Sequence, residues 1–353
     1  MGRFVPALGL FFLAPLVAEF LLGDIPITAL YALIGLAPLY GAGALLIREV
    51  CRRAGWGWPG IVTLALAFGV LEEGICLQSL FNPDFGGAHL HLLDPGYIPA
   101  LGIGVPYTLF VLTLHMVWSI SVPIALTEAA AKQRRTSPWL GRPGLVVTGV
   151  IYALGVLLNA RQGRAQSDFA ASTPQLIGAG VVVVLLVALA VLLGRRRRPA
   201  RQSNGRTPAA WLLGLASLVI TSAFIVAWFA GRNALPAWGF TAAVLAVHVG
   251  GTLLISRWSR RPGWTPMHQL ALAAGALFTY AWHGFQTPTF MPATPVVKLG
   301  GNIVFAAAAL ILVAVTTLRN ATTSRKRHCP LRHWRTRACS EFGSSGRSEA
   351  AEP

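Results

Sequence analysis

The chain has 353 residues, 54% of them apolar and only 12% charged, with a mean hydropathy of +0.60. A soluble domain carries about 25% charge, so composition excludes an ordinary water-soluble fold and points to lipid as the solvent. The net charge of +17 does not point to nucleic acid, because the basic residues fall in short runs between apolar stretches rather than along one face.

A bilayer core about 30 Å thick takes roughly 20 apolar residues in a helix. Ten segments meet that need, near 4–23, 26–47, 58–80, 106–127, 144–160, 175–194, 209–230, 236–256, 266–285 and 299–318. Within lipid the backbone must bond to itself, so each run is read as a helix. The expected fold is all-α, a polytopic membrane protein of about ten transmembrane helices. The first run lacks a small-x-small cleavage site and is read as a retained span. The fifth is the shortest, with Asn159 at its end. The four cysteines (Cys51, Cys76, Cys329, Cys339) have no paired spacing and imply no disulfide framework.

Lys and Arg set the direction of the spans. With the N-terminus inside, 25 of the 29 basic residues fall in inner segments; only Arg161, Arg164, Arg232 and Lys298 fall outside. A wrong span count would scramble that alternation. The expectation is therefore a multi-pass protein of the cell membrane with both termini cytoplasmic and membrane lipids as its partners. By the same pattern the Asn320-Ala321-Thr322 sequon lies inside.

Residues 43–56 (GALLIREVCRRAGW) align without gaps to residues 251–264 (GTLLISRWSRRPGW), eight of fourteen positions being identical. The same offset pairs Gly23 with Gly231. Both copies enter from the same side, which predicts a parallel internal repeat. The domain organisation that follows is a first four-helix repeat over 1–130, linker helices 5 and 6 over 131–207, a second repeat over 208–318, and a basic tail over 319–353 too poor in apolar residues to fold.

Glu72 and Glu73 lie inside the third span, in AFGVLEEGICLQSLF. A charge at that depth costs about 2.5–3.5 kcal/mol on insertion scales, so two adjacent acids need a reason. His115 lies in the fourth span. At 1.5 Å per residue both sites fall about 12 Å below the outer surface, and consecutive antiparallel helices can bring them to one level. Two carboxyls in a low dielectric resist ionising together, which leaves an acid beside a base; His115 can then orient a water, bind a metal or carry a proton. Ser119 shares the face of His115, and Cys76 that of Glu72. The alternative is a polar knot that fixes helix packing.

A Glu-Glu pair in a membrane helix, followed some forty residues later by a membrane His, resembles the CAAX-protease and bacteriocin-processing (CPBP, or Abi) family of intramembrane peptidases. That family's pattern is Glu-Glu-x-x-x-Arg, Phe-x-x-x-His and a later His-x-x-x-Asn. Glu72, Glu73 and His115 match. Leu77 stands at the Arg position and Val111 at the Phe position, with Phe110 one place away. The third motif is missing, since Gly155 and Lys298 precede Asn159 and Asn302 by four residues. The resemblance covers helices 3 and 4 and implies a glutamate-activated water that attacks a peptide bond.

Glu19, Asp24, His283 and Asn302 also gather toward the outer side. If the repeats face each other, His283 would approach the glutamates as a supporting residue. His248, in mid-span, is a weaker candidate. His89, His91 and Asp94 carry metal-donor groups but read as an exposed loop, and Cys329, His333 and Cys339 lack a zinc spacing. No phosphate-cradling glycine motif is present and no cofactor is implied. Three classes remain: an intramembrane hydrolase acting on a peptide or lipid-linked substrate, a proton-coupled transporter of a small solute, and a non-catalytic scaffold.

Overall fold

A computed structural model describes residues 4–85, 91–165, 168–195, 204–231 and 235–327. His89, Arg196 to Arg198, Arg201, Arg232 and the tail from 328 onward, with Cys329, His333 and Cys339, lie outside the described residues.

The chain is helical almost throughout. Its first five long helices are α1 (Val5–Leu21), α2 (Ile27–Ala54), α3 (Gly57–Cys76), α4 (Val105–Ala130) and α5 (Arg142–Ala165). Then come α6 (Thr173–Arg195), α7 (Ala210–Ala230), α8 (Ala237–Trp258), α9 (Pro266–His283) and α10 (Pro295–Arg327). Among the described residues, all but α1 and α9 are both long and apolar enough to cross a membrane. Those two occupy the first and ninth expected spans, α1 being short and α9 carrying His268, Gln269 and His283. A two-residue antiparallel ladder, β1 (Tyr97–Ile98) with β2 (Ile103–Gly104), tightens the α3–α4 connection.

Three boundaries differ from the sequence reading. Helix α3 stops at Cys76 rather than near 80, because Gln78 takes a left-handed backbone (φ 58°) and turns the chain back. The fifth span is not short: α5 starts at Arg142 and runs through Asn159, whose amide bonds the Gly155 carbonyl. Helix α10 continues to Arg327, into the segment assigned to an unfolded tail. Extending a nucleated helix through Arg, Ala and Lys is easy even where no core is available.

Burial sorts the helices. The hydrophobic windows of α3 and α4 are 61% and 67% buried, against 11% for α5 and α6, so α3 and α4 form the centre. Helix α4 meets α1, α2, α3, α8, α9 and α10. The outer helices are apolar yet expose rows such as Val184, Leu185, Ile303 and Ile311. Helices apolar on every side and uncovered are built for lipid.

Small and polar residues fix the contacts between helices. Trp118 donates from Nε1 to the Ala276 carbonyl (2.7 Å) and stacks on Tyr280 at 4.5 Å, which pins α4 to α9. Thr221 and Thr279 bond at 2.6 Å between α7 and α9. Gly41 faces the backbone of Phe11 so closely that no Cβ could fit. The Phe11 carbonyl has no α-helical donor four residues on, because that residue is Pro15.

Among the described residues, five helices each contain a π-helical turn: Leu16–Leu21 in α1, Ala37–Gly41 in α2, Leu71–Cys76 in α3, His115–Ser121 in α4 and Ala227–Gly231 in α7. Prolines account for part of this. Pro38 sits inside the turn of α2, and Pro123 leaves the Ser119 carbonyl without its usual donor.

Candidate functional site

The π turns of α3 and α4 carry Glu72, Glu73, His115 and Ser119, whose side chains meet between the two helices. A π turn adds one residue to a helical turn and rotates the side chains beyond it, and such turns recur at functional sites.

The imidazole of His115 lies between the two acids. Its Nε2 is 2.6 Å from Glu73 Oε1. Its Nδ1 is 3.0 Å from Glu72 Oε2 and 3.2 Å from Ser119 Oγ, the latter being the better-aligned hydrogen bond. Glu72 Oε2 is thus buried without a well-aligned partner. Glu73 is held twice, since Ser79 donates a short hydrogen bond to its other oxygen. Glu72, Glu73 and His115 are 1%, 4% and 7% exposed, so the three groups lie out of contact with bulk water. Each ring nitrogen faces a carboxylate, an arrangement that satisfies an imidazolium, and the Ser119 hydroxyl can donate to Nδ1 of a neutral ring.

Sequence reasoning missed Ser79 and Tyr40. Ser79 returns to Glu73 only because Gln78 reverses the chain, and Leu80 N then bonds the Glu73 carbonyl at 3.3 Å. Tyr40, on the π turn of α2, lies nearly parallel to the His115 ring with centroids 6.1 Å apart. It also lies within electrostatic reach of Glu19 and Glu72. Glu19, on the π turn of α1, neighbours Asp24. A polar line therefore runs Asp24, Glu19, Tyr40, Glu72, His115, Glu73, Ser79. A tyrosine in an apolar helix gives no sequence signal. The π turns that aim these residues give none either.

The other expected residues part company with the cluster. His283 is not brought to the glutamates: it packs against Phe229 and Trp282, with ring centroids 5.1 and 5.6 Å away, and its Nδ1 is buried without a partner. From α9 it is Tyr280 that comes within electrostatic reach of Asp24 and Glu19. His248 bonds Thr113 at 3.0 Å and the Val244 carbonyl at 2.8 Å, a packing role. His91 pairs with Asp94 at 3.0 Å in an exposed loop. Asn302 donates to the Gly284 carbonyl (2.8 Å). Cys76 is buried beside the acids. Among the described residues, no three His, Cys, Asp or Glu side chains are arranged to hold a metal ion.

A second charged cluster lies at the opposite end of α2 and α4. Arg48, with no exposed surface, bonds Glu128 at 3.0 Å and Glu49 at 2.6 Å. It also donates to the carbonyls of Arg135 and Ser137 and lies 3.5 Å over the Trp139 ring. Arg52 grips both Glu128 oxygens, at 2.7 and 2.6 Å. Glu49 accepts from the backbone N–H of Trp139 and of Leu140. These bonds rivet α2 and α4 to the loop that leads into α5. The order Arg-Glu-x-x-Arg-Arg over 48–53 was legible; Glu128 as its partner was not.

A family model described as an uncharacterized membrane protein family matches residues 8–323. No curated protein and no solved structure matches the chain.

Proposed function

The chain belongs to that uncharacterized membrane protein family, and we propose that within this multi-pass membrane protein Glu72, Glu73 and His115 form a CPBP/Abi-like hydrolytic centre acting on a peptide or lipid-linked substrate. The observation that carries the reading is the clamping of one buried imidazole between two carboxylates. Glu73, tied to His115 and Ser79, positions the ring. Glu72 keeps an oxygen free of aligned partners and is the base that takes a proton from water. The resulting hydroxide bonds to the acyl carbon, the acyl bond breaks, and His115 returns a proton to the leaving group.

The rest of the reading follows from charge. The arginine-rich loops mark the cytoplasmic side of the cell membrane, which puts the centre in the outer half of the bilayer. The parallel repeat is supported by left-handed glycines at the equivalent positions Gly55 and Gly263, and by π turns ending α1 and α7.

A second reading is proton-coupled movement of a small solute, favoured by the line from Asp24 through Glu19 and Tyr40 to Glu72. One experiment separates the two. Wild-type protein and its Glu72→Gln and Glu73→Gln variants, reconstituted in proteoliposomes, are given a membrane-peptide library and, separately, an imposed proton gradient. The hydrolase reading predicts cleavage that falls about 10²–10⁴-fold in Glu72→Gln, with no gradient-driven uptake. Uptake abolished by the same variant, with no cleavage by wild type, would favour the transporter.

A further inference from the structure

At the end of the bundle away from the glutamates, Arg52, Trp58, Arg135, Trp264, Thr265 and Gln269 help line a half-open cavity of about 210 Å³. It draws on the end of α2, the start of α3, the α4–α5 loop and the start of α9, so it joins segments far apart in the chain.

The acids nearby are already committed. Glu128 takes Arg48 and both donors of the Arg52 fork, and Glu49 takes Arg48, Arg53 and two backbone N–H groups. Four arginines, Arg48, Arg52, Arg53 and Arg135, therefore face two carboxylates. Arg135 is the one left over: its Nε is buried with no hydrogen-bond partner. Burial, and then the Arg52 charge, push its guanidinium below the usual arginine value, with Glu128 offsetting part of the shift. Arg52 binds Glu128 through Nε and Nη2, and its guanidinium lies 5.8 Å over the Trp58 ring. A guanidinium with a buried, unused donor is a strained position unless an anion completes it, and its planar fork suits a phosphate. The neighbouring hydroxyl and amide, Thr265 and Gln269, add polar groups, and two tryptophans at a helix-end level suit the region of lipid headgroups.

We infer that this cavity is a phosphate-binding site, with Arg135 and Arg52 holding the phosphate and Trp58 and Trp264 flanking it. The inference does not rest on the hydrolase reading, since it uses none of those residues. The phosphate belongs either to an anionic phospholipid or to a soluble phosphate compound.

The test uses the full chain purified in a neutral detergent, with Trp fluorescence and native mass spectrometry as readouts. Phosphatidylglycerol, phosphatidylcholine and inorganic phosphate are titrated into wild type, Arg135→Gln and Arg135→Lys. The Arg135 side chain makes no internal hydrogen bond at Nε, so both variants are expected to elute and melt as wild type does, and that is checked first. Saturable binding that weakens on the order of tenfold or more in Arg135→Gln, and less in Arg135→Lys, supports the site. Preference for phosphatidylglycerol over phosphatidylcholine without an effect of inorganic phosphate assigns it to a lipid. Saturation by inorganic phosphate assigns it to a soluble ligand. Equal binding by wild type and Arg135→Gln, or no binding of any of the three probes, overturns the inference.

Discussion

At the scale of single residues, the site depends on who holds whom. Glu73 has one oxygen on the imidazole and the other on Ser79, so its position is fixed from two helices and a turn. Removing the Ser79 hydroxyl leaves a buried carboxylate oxygen unsatisfied. Ser79→Ala is therefore expected to cost about 1–3 kcal/mol, read as a lower melting temperature of the purified protein; an unchanged melt would mean the bond is not formed. The acids and His115 were legible in the sequence because charged groups in an apolar run are costly, and because counting helical rise placed them at one depth. Ser79 and Tyr40 were not legible. Nothing in a string of letters announces that Gln78 turns left-handed or that a π turn swings Tyr40 toward His115. His283 was misplaced for a related reason: helix number and depth say nothing about rotation about the helix axis, and its face meets Phe229 and Trp282 instead.

At the scale of elements, four π turns, one in each of α1 to α4, present every member of the polar line except Asp24 and Ser79, which sit in turns just beyond α1 and α3. Sequence periodicity located these helices well because lipid demands unbroken backbone pairing. It could not locate the π turns, since one extra residue per turn hardly alters a uniformly apolar pattern. The close crossing of α1 and α2 holds two of the turns together, through Gly41 packed on the Phe11 backbone. Gly41→Ala puts a methyl group where backbone already stands, and the helices must part. A loss of about 1–3 kcal/mol is expected. The check is thermal unfolding beside a control, Gly35→Ala, where a Cβ meets nothing within 4 Å; equal effects at both positions would contradict the packing account.

At the scale of the whole molecule, two charged clusters lie along α4, one near its middle and one at its C-terminal end. One is the buried Glu72–His115–Glu73 set, the other the arginine-rich rivet around Glu128. The lipid-facing helices surround them, and the C-terminal part of α4 packs on α9 and α10. The ten-helix pattern was readable from hydropathy alone. Which helices lie at the centre was not, because α4 and α5 are nearly equally apolar in sequence (mean hydropathy 2.0 and 1.8) yet differ in burial from 67% to 11%. What distinguishes the central helices is their buried polar residues, which lipid would reject and only neighbouring helices can satisfy.

The claim on which the functional account turns is the direct coupling of Glu73 to His115. A double-mutant cycle on unfolding free energy, with Glu73→Gln, His115→Gln and both together, measures it. An interaction energy of about 1–3 kcal/mol is predicted for a buried charge-assisted hydrogen bond. Strictly additive single-variant effects would contradict it and remove the basis for a shared centre.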